Sequence, residues 1–352
     1  MNSQLLNSHT SVVAIGAAIV TVGIQLPVAA QTFNPAPLFD RSNQYSVTIP
    51  RTDGGVDAAD IYYPVLAASS QEKLPIALLF QGALVDKSEY ANFASTVARY
   101  GFAVVVPNHS RTLFSPVTGP STGFFPEQQQ ANDVLNYLAI ENATPASSIA
   151  GQLDTNTLVL LGHSFGGAVG IATVQGDCVP ILCTGSFDRP AVLKGAAFYG
   201  TSFFDPRFGG TVPPINNAGI PLALIAGSAD SVTDLADVEA TYAQIQVPPQ
   251  ALVKVLGANH YGITNVNNPI RDPNPPTLEQ AVATETIARW SALFLRANVL
   301  NDPGAAEYVF GSGDALDPNV TVTAAVPEPS SVVGLLLFGV GFGWLKRRQN
   351  AA

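Results

Sequence analysis

Thr157-Leu158-Val159-Leu160-Leu161-Gly162-His163-Ser164-Phe165-Gly166-Gly167 joins a run of strand formers directly to a G-x-S-x-G motif, and this junction decides the fold. A serine hydroxyl becomes a useful nucleophile when it is held clear of the backbone, aimed at a base and placed beside donors that receive an oxyanion. A tight strand-to-helix turn meets all three needs. Glycines 162 and 166 suit it because the strained turn crowds the neighbouring strand and helix and leaves no room for a β-carbon. The apolar run before the motif supplies the strand, and Gly167-Ala168-Val169-Gly170-Ile171-Ala172 supplies the helix. Without that context the motif is as common as an ordinary Gly-rich turn.

Counting then narrows the partners of Ser164. In this architecture the acid and the histidine follow the serine in chain order. Of the four histidines, His9, His109, His163 and His260, only His260 lies beyond Ser164. It follows the strand-like residues 251–256, so it falls on a loop at a strand's carboxyl end, where a general base belongs. The acid is expected between the two, after another strand. Residues 221–226 read as that strand, and Asp230 in the following Gly227-Ser228-Ala229-Asp230 is the preferred acid. Asp234 is the alternative, since it could instead cap a helix over residues 235–245. An oxyanion hole needs two backbone amides. Phe165, after the nucleophile, is expected to give one, and Ala83, in the loop after the strand at residues 74–80, the other. Gln81 in the same loop reads more simply as a solvated side chain.

With these residues in place, residues 56–300 resemble an α/β-hydrolase of the chlorophyllase and cutinase-like polyester hydrolase group. Residues 74–83, residues 90–109, the elbow, and the segments around Asp230 and His260 carry the resemblance. It implies ester chemistry. Cutinase-like members usually place an aromatic residue after the oxyanion-loop glycine, and members of the two groups carry Met or Arg after the nucleophile. This chain has Ala83 and Phe165 there.

Composition agrees with one catalytic domain at residues 31–300. The chain has 352 residues and is 47% hydrophobic, enough for a single large core. Strand-like runs alternate with helix-like runs at residues 127–140 and 278–300. The expected fold class is therefore α/β, a mostly parallel central sheet with helices on both faces. Residues 45–63 read as an antiparallel lead-in, broken at Asp53-Gly54-Gly55. Residues 111–126 and 201–214 read as loops walling a pocket. With a net charge of −10 and only 16 Lys and Arg, nucleic acid is not an expected partner. Dinucleotide, phosphate-loop and zinc signatures are absent from the sequence, so no cofactor and no metal are expected.

Both ends read as targeting segments. Residues 1–30, ending Val28-Ala29-Ala30, fit a secretory signal peptide, although its first residues lack Lys or Arg; the alternative is an uncleaved anchor, short for a membrane span of about 20 residues. Val326-Pro327-Glu328-Pro329, the apolar residues 332–345 and Lys346-Arg347-Arg348 together resemble a PEP-CTERM sorting signal over residues 326–352. That resemblance implies a Gram-negative bacterium, processing by an exosortase, and membrane attachment through the C-terminal segment before processing, with residues 301–325 as a linker. Export would let Cys178 and Cys183 close a short disulfide; two free buried thiols are the alternative. The expected activity is an exported serine carboxylic-ester hydrolase working through Ser164, His260 and Asp230 on a small or lipid-like ester. The rivals are a surface or matrix-binding protein that retains the fold, and an acyltransferase.

Overall fold

The computed structural model describes residues 35–67, 70–115, 119–204 and 210–327; the expected signal peptide, residues 1–30, and residues 328–352 of the expected sorting signal lie outside them. The central sheet is built from β1 (Ser42–Pro50), β2 (Val56–Pro64), β3 (Leu74–Phe80), β4 (Ala103–Asn108), β7 (Leu153–His163), β8 (Leu193–Tyr199), β9 (Leu222–Gly227), β10 (Gln250–Val255) and β11 (Val320–Ala325). A separate hairpin is formed by β5 (Ser110–Ser115) and β6 (Gly119–Phe124). The sheet order is β1-β2-β4-β3-β7-β8-β9-β10-β11. Its six middle strands run parallel, and β1, β2 and β11 are antiparallel additions at the edges. This is the α/β-hydrolase fold. The lead-in is the β1–β2 hairpin, turning at Asp53-Gly54-Gly55 as the sequence indicates.

Side-chain alternation along the middle strands feeds two separate cores. In β3, Leu74, Ile76, Leu78 and Phe80 face one side, while Ala77 and Leu79 face the other. Leu158 and Leu160 of β7 join the first side, and Val159 and Leu161 the second. Helices α2 (Gln130–Ala143), α3 (Phe165–Gln175) and α4 (Leu235–Tyr242) cover the first face. Helices α1 (Ala91–Arg99) and α5 (Gln280–Val299) cover the second. Close packing is visible at Gly195 of β8, where a β-carbon would meet Val299 Cγ2 at 2.9 Å and Leu295 Cδ2 at 3.1 Å.

Residues 301–325 are not a linker. Helical turns span Pro303–Glu307 and Gly313–Leu316, and β11 pairs antiparallel with β10 from Val255↔Val320 to Gln250↔Ala325. The segment is anchored by Asp317, whose Oδ2 accepts from Trp290 Nε1 at 2.8 Å and from an Arg289 guanidinium N–H at 3.0 Å, all three fully or nearly fully buried. Its Asp and Gly content disguises a short apolar set, Ala305, Tyr308, Val309 and Val320, that completes the core beneath α5. Residues 111–126 likewise are mostly the β5–β6 hairpin and not an open loop. Among the described residues no helix is long and apolar enough to cross a membrane.

Candidate active site

β7 ends at His163 and α3 begins at Phe165, so Ser164 is the turn between them. Its φ of 54° and ψ of −122° are strained for a residue with a β-carbon. The crowding expected of its glycines is present. A β-carbon on Gly166 would lie 2.2 Å from the Phe80 carbonyl oxygen and 2.4 Å from that of Gln81. One on Gly162 would lie 2.9 Å from the Gly166 carbonyl oxygen and 2.9 Å from Phe198. The elbow is therefore wedged against the end of β3, and with it against the loop that carries Ala83.

His260 and Asp230 come together as a buried pair. His260 Nδ1 lies 2.8 Å from Asp230 Oδ2, and Asp230 Oδ1 accepts from the backbone amides of Val232 and Thr233, each at 2.8 Å. Both pair atoms of the carboxylate thus have partners, which fixes the direction of the remaining contact with the imidazole. Asp234 takes the N-cap position of α4, where its side chain makes no capping bond and none to His260. Glycine 200, at the end of β8, is required beside the pair. Its φ is +57°, and a β-carbon there would lie 3.2 Å from both Asp230 Oδ2 and His260 Nδ1.

The backbone of His260 is clamped at both of its polar atoms. Its N–H donates to Asp272 Oδ2 at 2.8 Å, and its carbonyl accepts from His163 Nε2 at 2.9 Å. The rings of His163 and His260 are 4.8 Å apart between centroids. That contact brings the residue preceding Ser164 against the histidine 97 positions later in the chain. Among the described residues Ser164 Oγ makes no hydrogen bond to His260; without substrate such contacts are commonly long and tighten on binding.

The amides of Ala83 and Phe165 donate to no described residue, whereas those of Gly82, Leu84 and Val85 beside Ala83 are all engaged. Both lie where the β3 loop abuts the elbow, and both residues are partly exposed. Gln81 is fully buried and not solvated: its Oε1 accepts from the His109 amide at 3.3 Å. The ring of Phe165 meets Phe125 edge-on, 6.2 Å between centroids. The hairpin holds this wall in place, because Leu84 N–H donates to the Phe124 carbonyl at 2.7 Å. Cys178 and Cys183 form a disulfide. Arg111, at the base of the hairpin, donates to the Ile181 carbonyl inside that loop at 2.7 Å.

Sequence reasoning missed Tyr90, Gly200 and Asp272, and gave His163 no task. Asp272 lies in a polar loop that reads as solvent-exposed, yet it is fully buried and also accepts from Ser231 Oγ at 2.5 Å. Among the described residues no group of His, Cys, Asp and Glu is arranged to hold a metal ion.

Comparison with known proteins bears on the fold and the class of reaction. A family model described as PETase, PET hydrolase-like, matches residues 36–178. The matched stretch holds Ala83, Ser164 and Phe165 and stops short of Asp230 and His260. It supports a hydrolase with the α/β-hydrolase fold. No curated protein matches the chain.

Proposed function

We propose that the protein is a serine carboxylic-ester hydrolase in which Ser164 is the nucleophile, His260 the general base and acid, and Asp230 the residue that orients the imidazole. The observation that carries this reading is the His260–Asp230 hydrogen bond of 2.8 Å, set beside a serine in a left-handed elbow. In the first half-reaction, Ser164 Oγ attacks the ester carbonyl carbon while His260 Nε2 takes its proton. Asp230 holds the Nδ1–H tautomer and stabilises the imidazolium. The carbonyl oxygen gains the electron pair and is received by the Ala83 and Phe165 amides. Collapse breaks the bond to the alcohol, which leaves with the proton from His260. Water repeats the cycle on the acyl-enzyme and releases the carboxylic acid. Ester and water balance the reaction, with no cofactor consumed.

The described site favours this over a binding protein because two donors are left without partners next to the strained serine. Hydrolysis of short p-nitrophenyl esters tests it: Ser164→Ala is expected to lower kcat by on the order of 10⁶, and an inactive parent would favour the matrix-binding reading. A product mixture dominated by transesterification when alcohols are added would favour an acyltransferase. The PET hydrolase-like match makes a polyester film the first polymer to try. Export to the envelope or exterior of a Gram-negative bacterium, with exosortase processing, is part of the proposal and rests on residues 1–30 and 326–352. The disulfide agrees with an oxidising compartment.

A further inference from the structure

Tyr90 and His163 are fully buried, touch each other, and have no part in the proton transfers above. Their hydrogen bonds form one chain. Gly82 N–H donates to Tyr90 Oη at 2.8 Å, Tyr90 Oη lies 2.9 Å from His163 Nδ1, and His163 Nε2 lies 2.9 Å from the His260 carbonyl oxygen. The two ends fix the direction of every bond between them. A carbonyl oxygen only accepts, so His163 carries its proton on Nε2; a neutral imidazole then has a lone pair on Nδ1, which accepts the Tyr90 hydroxyl proton. Burial holds His163 well below its ordinary value, helped by the nearby His260, so the neutral form is the resident one. The groups facing its ring are Tyr90, Tyr199, His260 and Tyr261, and Arg271 acts on it from farther off in the same direction as burial.

Each end of the chain belongs to a different part of the site. Gly82 precedes Ala83, so holding the Gly82 amide sets the peptide that presents the Ala83 N–H. His260 supplies the base, and its carbonyl is one of two anchors of its main chain. The middle of the chain, His163, is bonded covalently to Ser164. A β-carbon on Gly82 would lie 2.7 Å from His163 Nδ1 and 3.3 Å from Tyr90 Oη, so glycine is what lets the loop close onto the pair.

We propose that Tyr90 and His163 are a positioning pair: through one directed hydrogen-bond chain they tie the oxyanion loop, the nucleophile elbow and the backbone of the general base to a single separation. The inference rests on the hydrolase reading above. Neither residue touches the substrate. Their contribution is to the alignment of Ser164, His260 and Ala83, to which catalysis is steeply sensitive. The neutral His163 ring also adds no second positive charge beside the His260 imidazolium that forms during turnover.

The test uses the full chain and short p-nitrophenyl esters. Tyr90→Phe removes the hydroxyl that serves Gly82 and His163 together, and His163→Phe removes both ring nitrogens. Each is expected to lower kcat about tenfold or more with KM within about twofold, since alignment and not ground-state binding is lost. His163→Gln keeps one donor and one acceptor and is expected to recover kcat to within about threefold of the parent. Nitrogen-15 NMR of the parent supplies a readout that does not depend on the variants folding. The His163 ring is expected to show a proton on Nε2 and none on Nδ1, unchanged between about pH 5 and 8. A proton on Nδ1, or a ring that titrates in that window, overturns the pair. So does a Tyr90→Phe enzyme with the parent's kcat. A parent with no Ser164-dependent hydrolysis overturns the hydrolase reading instead, which separates the two failures.

Discussion

Two buried His–Asp pairs of nearly identical geometry stand among the described residues, and one of them is tied to the elbow that carries Ser164, the proposed nucleophile. His260 Nδ1 is 2.8 Å from Asp230 Oδ2, and His109 Nδ1 is 2.8 Å from Asp57 Oδ2. All four residues are nearly inaccessible. The difference lies at the other ring nitrogen and in the surrounding charge. His109 Nε2 faces a second carboxylate, Glu127 Oε1 at 3.4 Å, and Glu127 is held in turn by Arg111 while Arg51 reaches Asp57. Among the described residues the His260 ring meets one carboxylate, Asp230; a second, Asp272, holds its backbone N–H, and its backbone carbonyl is pinned to the residue before Ser164. A histidine hydrogen-bonded to an aspartate is thus not a catalytic signature in itself. On the proposed reading, what faces the other ring nitrogen separates a pair that moves protons from one that holds charge.

The comparison is broken most sharply by the same substitution at each carboxylate. Asp230→Asn is expected to lower kcat by about 10⁴ by favouring the wrong tautomer of His260, while Asp57→Asn leaves kcat within about threefold and lowers Tm instead. Ester hydrolysis and thermal melts on both variants measure this. Equal loss of activity in the two would erase the distinction.

A smaller effect is expected in the pH dependence of the His109 site. Burial alone would lower His109, but its hydrogen bond to Asp57 and the Glu127 carboxylate close to its other ring nitrogen outweigh it and hold the imidazole above its ordinary 6.5. A raised base stabilises the fold fully below its unfolded value, and that contribution is lost as pH rises through the folded value. For Glu127, burial raises the carboxyl, yet the nearby His109 ring and its bond to Thr184 keep it below its ordinary 4.5, so its contribution is lost only as pH falls through a still lower value. His109→Gln is therefore expected to cost about 3 kcal/mol. The gap in Tm should be widest between 4.5 and 6.5 and narrow at higher pH. A gap that grows on the alkaline side would contradict this account of the pair.

The least effect belongs to the disulfide. Replacing both Cys178 and Cys183 by Ser is expected to lower stability by about 2 kcal/mol, the entropy of so short a loop, with kcat unchanged. Chemical denaturation with parallel kinetics would check it. A large loss of kcat would mean that the loop, reached by Arg111 from the hairpin, shapes the site more than its distance along the chain implies.

Much of this arrangement is legible in the sequence where local pattern and chain order coincide. β3 occupies the stretch its apolar run marks, because a doubly buried parallel strand needs no polar alternation. The elbow glycines carry their meaning locally, since the clash they avoid is with backbone. Meeting of His260 with Asp230 follows from the order of strands in a parallel sheet. What was hidden depends on contacts between distant segments. Strand β8 contains Lys194 and Gly195 and lacks β-branched residues, so its place in the sheet comes from packing and not propensity. Residues 301–325 look like a polar linker because their burial hangs on Asp317 meeting Trp290 and Arg289. The shared task of Tyr90 and His163 has no local signal: it exists only once residues 82, 90, 163 and 260 are brought together.

The central claim, that Ser164 is activated by His260, is tested most directly by peptide mapping after exposure to a fluorophosphonate, which reports the reactive hydroxyl whatever the natural ester is. One adduct on the peptide containing Ser164, formed by the parent and lost or greatly slowed in His260→Ala, is the predicted result. An unmodified Ser164 in the folded parent, or labelling that proceeds equally without the His260 imidazole, would contradict it.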